Sequence, residues 1–384
     1  MENAEVVENE SSIDFALDMI ERRIRDVSEP IKSENRDRPD TASANSVRII
    51  RRFAPAIPTI VMETYWRFAA KRQEIFFQRL AGGPQPWSDD PILSKYKFTN
   101  AYRASDRVSQ YLIRNVIYKS DRPSEPREVL FRILLFKIFN KIETWCLLES
   151  KLGELCWESF DFLAYDKVLK EAMDKGTRIY SAAYIMPPGG SAFGYVTKHQ
   201  NHLALIERMI KDDLALKLQH STRMQDGFEL FTSYPTIGDF LGYQLITDVN
   251  YSELTNYSEM EFVVPGPGAK DGLRKAFADL GGLTEAELIR YVADYQDECF
   301  AALGLEFKDL FGRKLQLIDC QNLFCEVDKY SRQAHPQISG ITGRTRIKQL
   351  FTPNSNPMEV WFPPKWKIND KLGETLTLGS GGLL

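Results

Sequence analysis

The chain has 384 residues, of which 43% are apolar, 27% charged and 12% aromatic. That is enough to bury a core in one large domain or in two to three smaller ones, and it excludes a wholly disordered, collagen-like or coiled-coil chain. The net charge of -4 is unevenly spread: residues 1–46 hold 12 acids and 6 bases, 47–147 hold 9 and 18, 148–330 hold 29 and 18, and 331–384 hold 3 and 7. Basic segments flanking an acidic middle suit one positive face for a polyanion, since Lys and Arg gain by releasing phosphate counterions; solvated helix faces would give the same pattern.

In chain order, Ile13, Ala16, Leu17, Ile20 and Ile24 recur at helical spacing, followed by a polar linker over 28–46 that lacks the apolar groups to offset its ordering entropy. Three regions are expected: an acidic N-terminal helix and disordered linker (1–46), a helical body (47–335) and a basic, loop-rich C-terminal tail (336–384). The periodicity predicts helices over 59–80, 99–119 and 127–150, then over roughly 160–175, 198–219, 239–249, 269–280, 285–303 and 314–332. Thr284 and Glu287 have capping-box spacing. Strand patterns are confined to RIYSAAYI from Arg178 and EFVV from Glu261, and PPGGSAFG from Pro187 reads as a hinge. The fold class is mainly α.

The longest apolar run, VLFRILLFKIF from Val129, is interrupted by Arg132 and Lys137, well short of the ~20 residues of a membrane span. The acidic start MENAEVVENE has neither secretory nor transit character, so an intracellular protein, cytoplasmic or nuclear, is expected. Cys146, Cys156, Cys299, Cys320 and Cys325 form no CxxC pair and read as reduced core thiols.

Several chemistries lack their motif. There is no GxxxxGK[ST] phosphate loop, GPGAKDG from Gly266 has neither that spacing nor GxGxxG, and no GxSxG elbow is present. His199 and His202, three apart on a helix, lack a matching third ligand, and no metal site is assigned.

Two segments carry candidate chemistry. YPTIGDFLGYQLITD from Tyr234 has the form of a helix-hairpin-helix, in which Thr236, Ile237 and Gly238 offer backbone amides to a DNA phosphate; an ordinary αα-turn reads the same way. If 99–119 is helical, Asn100, Arg103 and Arg107 share one stripe with Asp106 beside it. The arginines then suit phosphate and Asp106 suits a base or metal ligand, although surface ion pairs would have the same spacing.

Four blocks resemble a family of thymine-hypermodification proteins, the α-glutamyl/putrescinyl-thymine pyrophosphorylases, whose helical region is also called the 5-hydroxymethyl-deoxyuridine (5-hmdU) DNA kinase helical domain. They are WSDDPILSKYKFTNAYRASDR from Trp87, the hairpin through Ser252, VPGPGAKDG from Val264 and LQLIDCQNLFCEVDKY from Leu315. The resemblance implies a DNA-glycosylase-like helical bundle that modifies 5-hydroxymethyluracil in DNA by phosphoryl or pyrophosphoryl transfer, with a nucleoside triphosphate and Mg2+ as possible co-reactants. Asn100, Arg103, Asp106, Arg107, Asp328 and Lys329 are then the catalytic candidates. Lys270 joins the hairpin as a DNA contact, and Trp87 and Tyr102 would stack a flipped base. Base excision itself is disfavoured, because Phe240 and VPGPGA stand where a glycosylase carries its Lys or its catalytic Asp. A non-catalytic DNA-binding module and a diverged glycosylase are the alternatives.

Overall fold

The computed structural model describes residues 56–182, 192–354 and 358–372. The expected N-terminal helix and linker, and the start of the hinge at Pro187, lie outside them. The described chain is mainly helical, with one two-stranded antiparallel sheet of β1 (Ile57–Pro58) and β2 (Phe277–Asp279). Neither expected strand forms among the described residues.

Helix α1 (Ile60–Leu80) is capped by the Thr59 hydroxyl, which accepts from the Val61 amide at 3.2 Å, and it stops at Gly82, whose φ of +73° suits glycine. Its buried stripe includes Val61, Tyr65, Phe68, Arg72, Ile75 and Phe76, the spacing of one helical face. A short α2 (Pro91–Lys95) follows, capped by Asp90.

The expected helix over 99–119 is not formed as such. Residues 99–102 are irregular, Arg103–Ser105 make a 3-10 turn, α3 spans Arg107–Tyr111, and Leu112–Ile117 continue it as a π-helix. Helix α4 (Pro126–Phe139) is buried on every side from Leu130 onward. It ends at Asn140, in the left-handed region, so the single helix expected over 127–150 becomes α4 and α5 (Ile142–Leu152). Arg132 and Lys137 are both buried and partnered: Arg132 donates to the Val116 and Pro123 carbonyls, and Lys137 to Asn140 Oδ1.

Then come α6 (Phe162–Asp174), α7 (Lys198–Lys211), α8 (Leu214–His220), α9 (Met224–Thr232) and α10 (Asp239–Val249). The last group is α11 (Pro267–Ala276), α12 (Glu285–Asp294), α13 (Gln296–Ala302) and α14 (Leu317–Ala334). The expected capping box opens α12, with the Glu287 amide donating to Thr284 Oγ1 and the Thr284 amide to Glu287 Oε2.

Two groups of helices share the core. α14 packs on α1, α11 and α12, while α4 packs on the π-helix, α7, α8 and α10. The tightest crossing is α11 on α14, where a Cβ on Gly272 would fall 2.0 Å from the Phe324 carbonyl oxygen. All five cysteines are unbridged; Cys299 and Cys320 are buried as expected, but Cys146 is exposed. Among the described residues no helix is long and apolar enough to cross a membrane.

Residues 336–354 and 358–372 return across the body as a loop-rich strap. Tyr96 pairs with Leu350 in an antiparallel bridge, the Lys97 amide donates to the Gln349 carbonyl, and the Phe351 amide donates to the Lys95 carbonyl. Farther on, Arg114 pairs with Glu359 at 2.5 Å and the Trp361 amide donates to Gln110 Oε1. Lys365 donates to the Ser252 and Thr255 carbonyls.

Candidate active site

The strap, the end of α1 and the 97–118 segment enclose a cleft with two lobes. A lobe of ≈ 640 Å³ is lined by Arg72, Arg79, Lys97, Arg107 and Arg114, by Asp106 and Glu359, and by apolar groups that include Tyr111 and Phe351. An adjoining lobe of ≈ 1020 Å³ shares Arg79, Arg114 and Glu359 and adds three aromatic side chains, Trp87, Tyr118 and Trp361. Among the described residues Arg72, Arg79, Lys97 and Arg107 form no ion pair, whereas Arg114 is tied to Glu359. Positive charge therefore exceeds negative charge in the cleft, which draws anions into it.

Asp106 sits at the base of the smaller lobe. Its Oδ1 accepts from the Asn100 amide at 2.8 Å, and its own backbone carbonyl accepts from the Gln110 amide. Burial pushes its carboxyl up to about 7; the Asn100 amide and Arg72 pull the other way, and Glu326 adds to the rise. A carboxyl that titrates near neutrality suits general acid–base work. Asn100 holds this corner together: Oδ1 accepts from Arg72 at 2.9 Å and Nδ2 donates to the Ser105 carbonyl. Arg72 also donates to the Thr99 carbonyl, and burial lowers its pKa to about 10, still high enough to keep it cationic.

Among the residues expected from sequence, Asn100, Asp106 and Arg107 line the smaller lobe and Trp87 the larger. Trp87 donates its indole N–H to the Gly83 carbonyl and lies 4.9 Å from the Arg79 guanidinium.

Four others do not fit their expected roles. Arg103 is buried: its guanidinium pairs with Asp248 at 2.7 Å and donates to Tyr251 Oη and Gln244 Oε1, while its amide donates to Asp319. It is an anchor beneath the cleft, and its expected place on a phosphate stripe fails because the backbone is not helical at 99–102. Asp248 is held below the usual carboxylate range: burial pushes it up, but Arg103 and the Lys137 ammonium at 3.0 Å outweigh that.

Tyr102 is 1% exposed, with its hydroxyl donating to the Arg313 carbonyl, so its ring is core and reaches no flipped base. Asp328 is buried between Lys275 at 2.8 Å and Arg332 at 2.5 Å, where it fastens α14 to α11. Lys329 pairs with Glu326 and lies over the Phe98 ring. Neither Asp328 nor Lys329 lines the cleft.

α9 and α10 pack across the turn at 233–238, an arrangement that an ordinary αα-turn gives as well as the expected helix-hairpin-helix. Ile237 is buried, Thr236 has φ of +70° and Gly238 is exposed at the start of α10. Lys270 is exposed in the first turn of α11.

Arg72, Arg79, Lys97, Arg114 and Glu359 were not singled out from sequence. Arg72 carried a signal, since it is a charge on the apolar stripe of α1; Glu359 reaches Arg114 only because the strap folds back. The cations fit phosphate groups. The donor set fits a metal poorly: Glu359 is tied to Arg114, and among the described residues no three His, Cys, Asp or Glu side chains cluster to hold an ion.

A 5-hmdU DNA kinase of Bacillus phage SP10 is 26% identical over 294 residues, which cover 72% of this chain and 46% of the phage protein. This chain thus spans about half the length of that relative. No solved structure matches it. The family model described as the 5-hmdU DNA kinase helical domain matches residues 59–340. The chain belongs to the 5-hmdU DNA kinase helical-domain family.

Proposed function

We propose that this chain binds DNA containing 5-hydroxymethyluracil and directs phosphoryl transfer to its hydroxymethyl oxygen in the two-lobed cleft. The observation that carries the reading is Asp106: a carboxyl lifted to about 7, opening on a lobe where four cations form no ion pair among the described residues. The kinase name of the phage relative supports it.

In this reading the modified base leaves the duplex and its ring lies against the aromatic wall near Trp87. Asp106 takes the proton of the hydroxymethyl group as its oxygen bonds to the terminal phosphorus of a nucleoside triphosphate. The bridging P–O bond breaks, and the nucleoside diphosphate leaves with the electron pair. Arg72, Arg79 and Arg107 face the phosphoryl charge, and preorganised cations stabilise the charge that shifts in the transition state. Asn100 is a positioning residue that orients both Asp106 and Arg72.

Incubating the chain with hydroxymethyluracil duplex, nucleoside triphosphate and Mg2+, then analysing nucleosides by mass spectrometry, tests this. A phosphorylated hydroxymethyl nucleoside is expected, lost in Asp106→Asn while DNA binding persists. Abasic sites in place of that product would overturn the reading in favour of a glycosylase.

A second reading is a non-catalytic module that recognises the acceptor DNA. It is favoured by the absent phosphate loop and by a chain spanning 46% of the phage protein. Binding that prefers hydroxymethyluracil over thymine, with no product from any nucleotide, would select it.

A further inference from the structure

The hairpin turn at Gly238 is the obvious place to look for a DNA-backbone contact, yet its electrostatics oppose one. From Met224 to Ala269 the sequence has no Lys or Arg and carries Asp226, Glu229, Asp239, Asp248, Glu253, Glu259 and Glu261. Asp239 stands in the first turn of α10, beside the amides that would meet a phosphate. Asp226 is paired with Arg223, Asp248 with Arg103 and Lys137, and Glu259 with Arg313, which leaves the exposed Glu229, Asp239, Glu253 and Glu261 to repel a polyanion at distances up to the Debye length, about 8 Å at physiological salt.

The strap has the opposite character. Between Pro336 and Met358 it has no acid, and Arg344, Arg346 and Lys348 are all exposed without an ion pair among the described residues. Lys95 and Lys97 are exposed on the segment bridged to it. The strap is fastened at both ends of this stretch. The Thr342 amide and hydroxyl donate to the buried Asp271, and Arg332, held by Asp328, donates to the Arg346 carbonyl. Farther along, the amide of Phe351 donates to the Lys95 carbonyl. Five exposed cations with no ion pair among the described residues thus stand on the strap and on the segment bridged to it as one ridge, and Lys97, Leu350 and Phe351 carry it into the wall of the cleft. Lys270 adjoins Asp271, where the ridge begins.

We propose that this ridge, Lys95, Lys97, Arg344, Arg346 and Lys348, is the surface that grips the DNA backbone, and that the hairpin turn does not. The ridge binds phosphates without reading sequence and delivers the duplex to the cleft mouth. The inference deepens the proposed function by placing its DNA, and it rests on that reading only for the identity of the polyanion. It gives the strap, whose ridge residues Arg344, Arg346 and Lys348 lie beyond the matched residues 59–340, a role of its own.

The test uses the full chain and a fluorescently labelled unmodified duplex, with affinity measured by anisotropy over a range of salt. The triple variant Arg344→Gln/Arg346→Gln/Lys348→Gln should bind about tenfold or more weakly, and the slope of log K against log salt should shrink by about 2 to 3, near 0.9 for each lost phosphate contact. The charge-conserving triple Arg344→Lys/Arg346→Lys/Lys348→Arg should keep the wild-type slope, which separates lost charge from a damaged strap. Gly238→Glu puts a carboxylate on the hairpin amides, in space where a Cβ meets nothing within 4 Å, and should change affinity less than about twofold. An unchanged slope in the Gln triple, or a large loss in Gly238→Glu, overturns the proposal. Because the duplex is unmodified and no transfer is measured, ridge-dependent binding without any kinase product would sink the proposed function and leave this inference standing. Kinase product with ridge-independent binding would do the reverse.

Discussion

Replacing Asp106 by Asn separates what this carboxylate costs the fold from what it contributes to chemistry. Asn keeps an Oδ1 to accept from the Asn100 amide, so the loop geometry at 99–106 is preserved. The carboxyl is raised from 3.8 to about 7, so the folded chain binds this proton more tightly than the unfolded chain does. The stability linked to that proton is fully present below the unfolded value, near pH 4, and is lost as pH rises through about 7. A rise of roughly three pH units corresponds to a ceiling of about 4 kcal/mol, and water in the open cleft reduces it to about 2 kcal/mol. Asp106→Asn has nothing to titrate at this position. Its stability relative to wild type should therefore climb by about 2 kcal/mol between about pH 4 and pH 8, or about 4 °C in Tm at roughly 2 °C per kcal/mol for a domain of this size. Thermal melts of both proteins across that range measure it directly. A Tm difference that stays constant with pH would refute the argument that burial raises this carboxyl, and with it the claim that Asp106 is poised as a base. If the claim is right, transfer by the wild type should rise about tenfold per pH unit below about pH 7 and level off above it.

Three further outcomes test the frame around the cleft. Arg103→Met removes one of the two cations that pair with the buried Asp248 among the described residues, and should cost about 3–5 kcal/mol in urea unfolding, whereas Arg107→Gln should stay within about 0.5 kcal/mol of wild type. Gly272→Ala drives a methyl into the Phe324 carbonyl across the α11–α14 crossing; a loss of about 3 kcal/mol or more is expected, and a variant as stable as wild type would show that the two backbones are not in contact. Thr284→Ala removes one half of the capping box on α12 and should cost about 1 kcal/mol, read as faster hydrogen exchange in that helix's first turn.

The helices with a clean apolar period were legible in the amino-acid sequence. α1, α6 and α10 begin and end within two residues of the ranges 59–80, 160–175 and 239–249 that their apolar spacing predicts, because periodicity is a property of neighbours along the chain. The same local reading made a single helix of 99–119, where the structure has an irregular loop, a 3-10 turn and an α-to-π helix. That loop is held by groups that no local pattern contains: Asp248 lies 145 residues from Arg103, and Asp319 lies 216 residues from it. Sequence spacing brought Asn100, Asp106 and Arg107 together on a helical stripe that does not form, whereas in the structure a loop and the start of α3 bring them to one lobe of the cleft. Only the tertiary structure decided that Arg103 is buried while Arg107 faces the cleft, that Asp106 is desolvated, and that the strap returns to close a cationic wall around it. Desolvation and ion pairing depend on which distant segments exclude water from a group, so they become fixed only when the chain has folded back on itself.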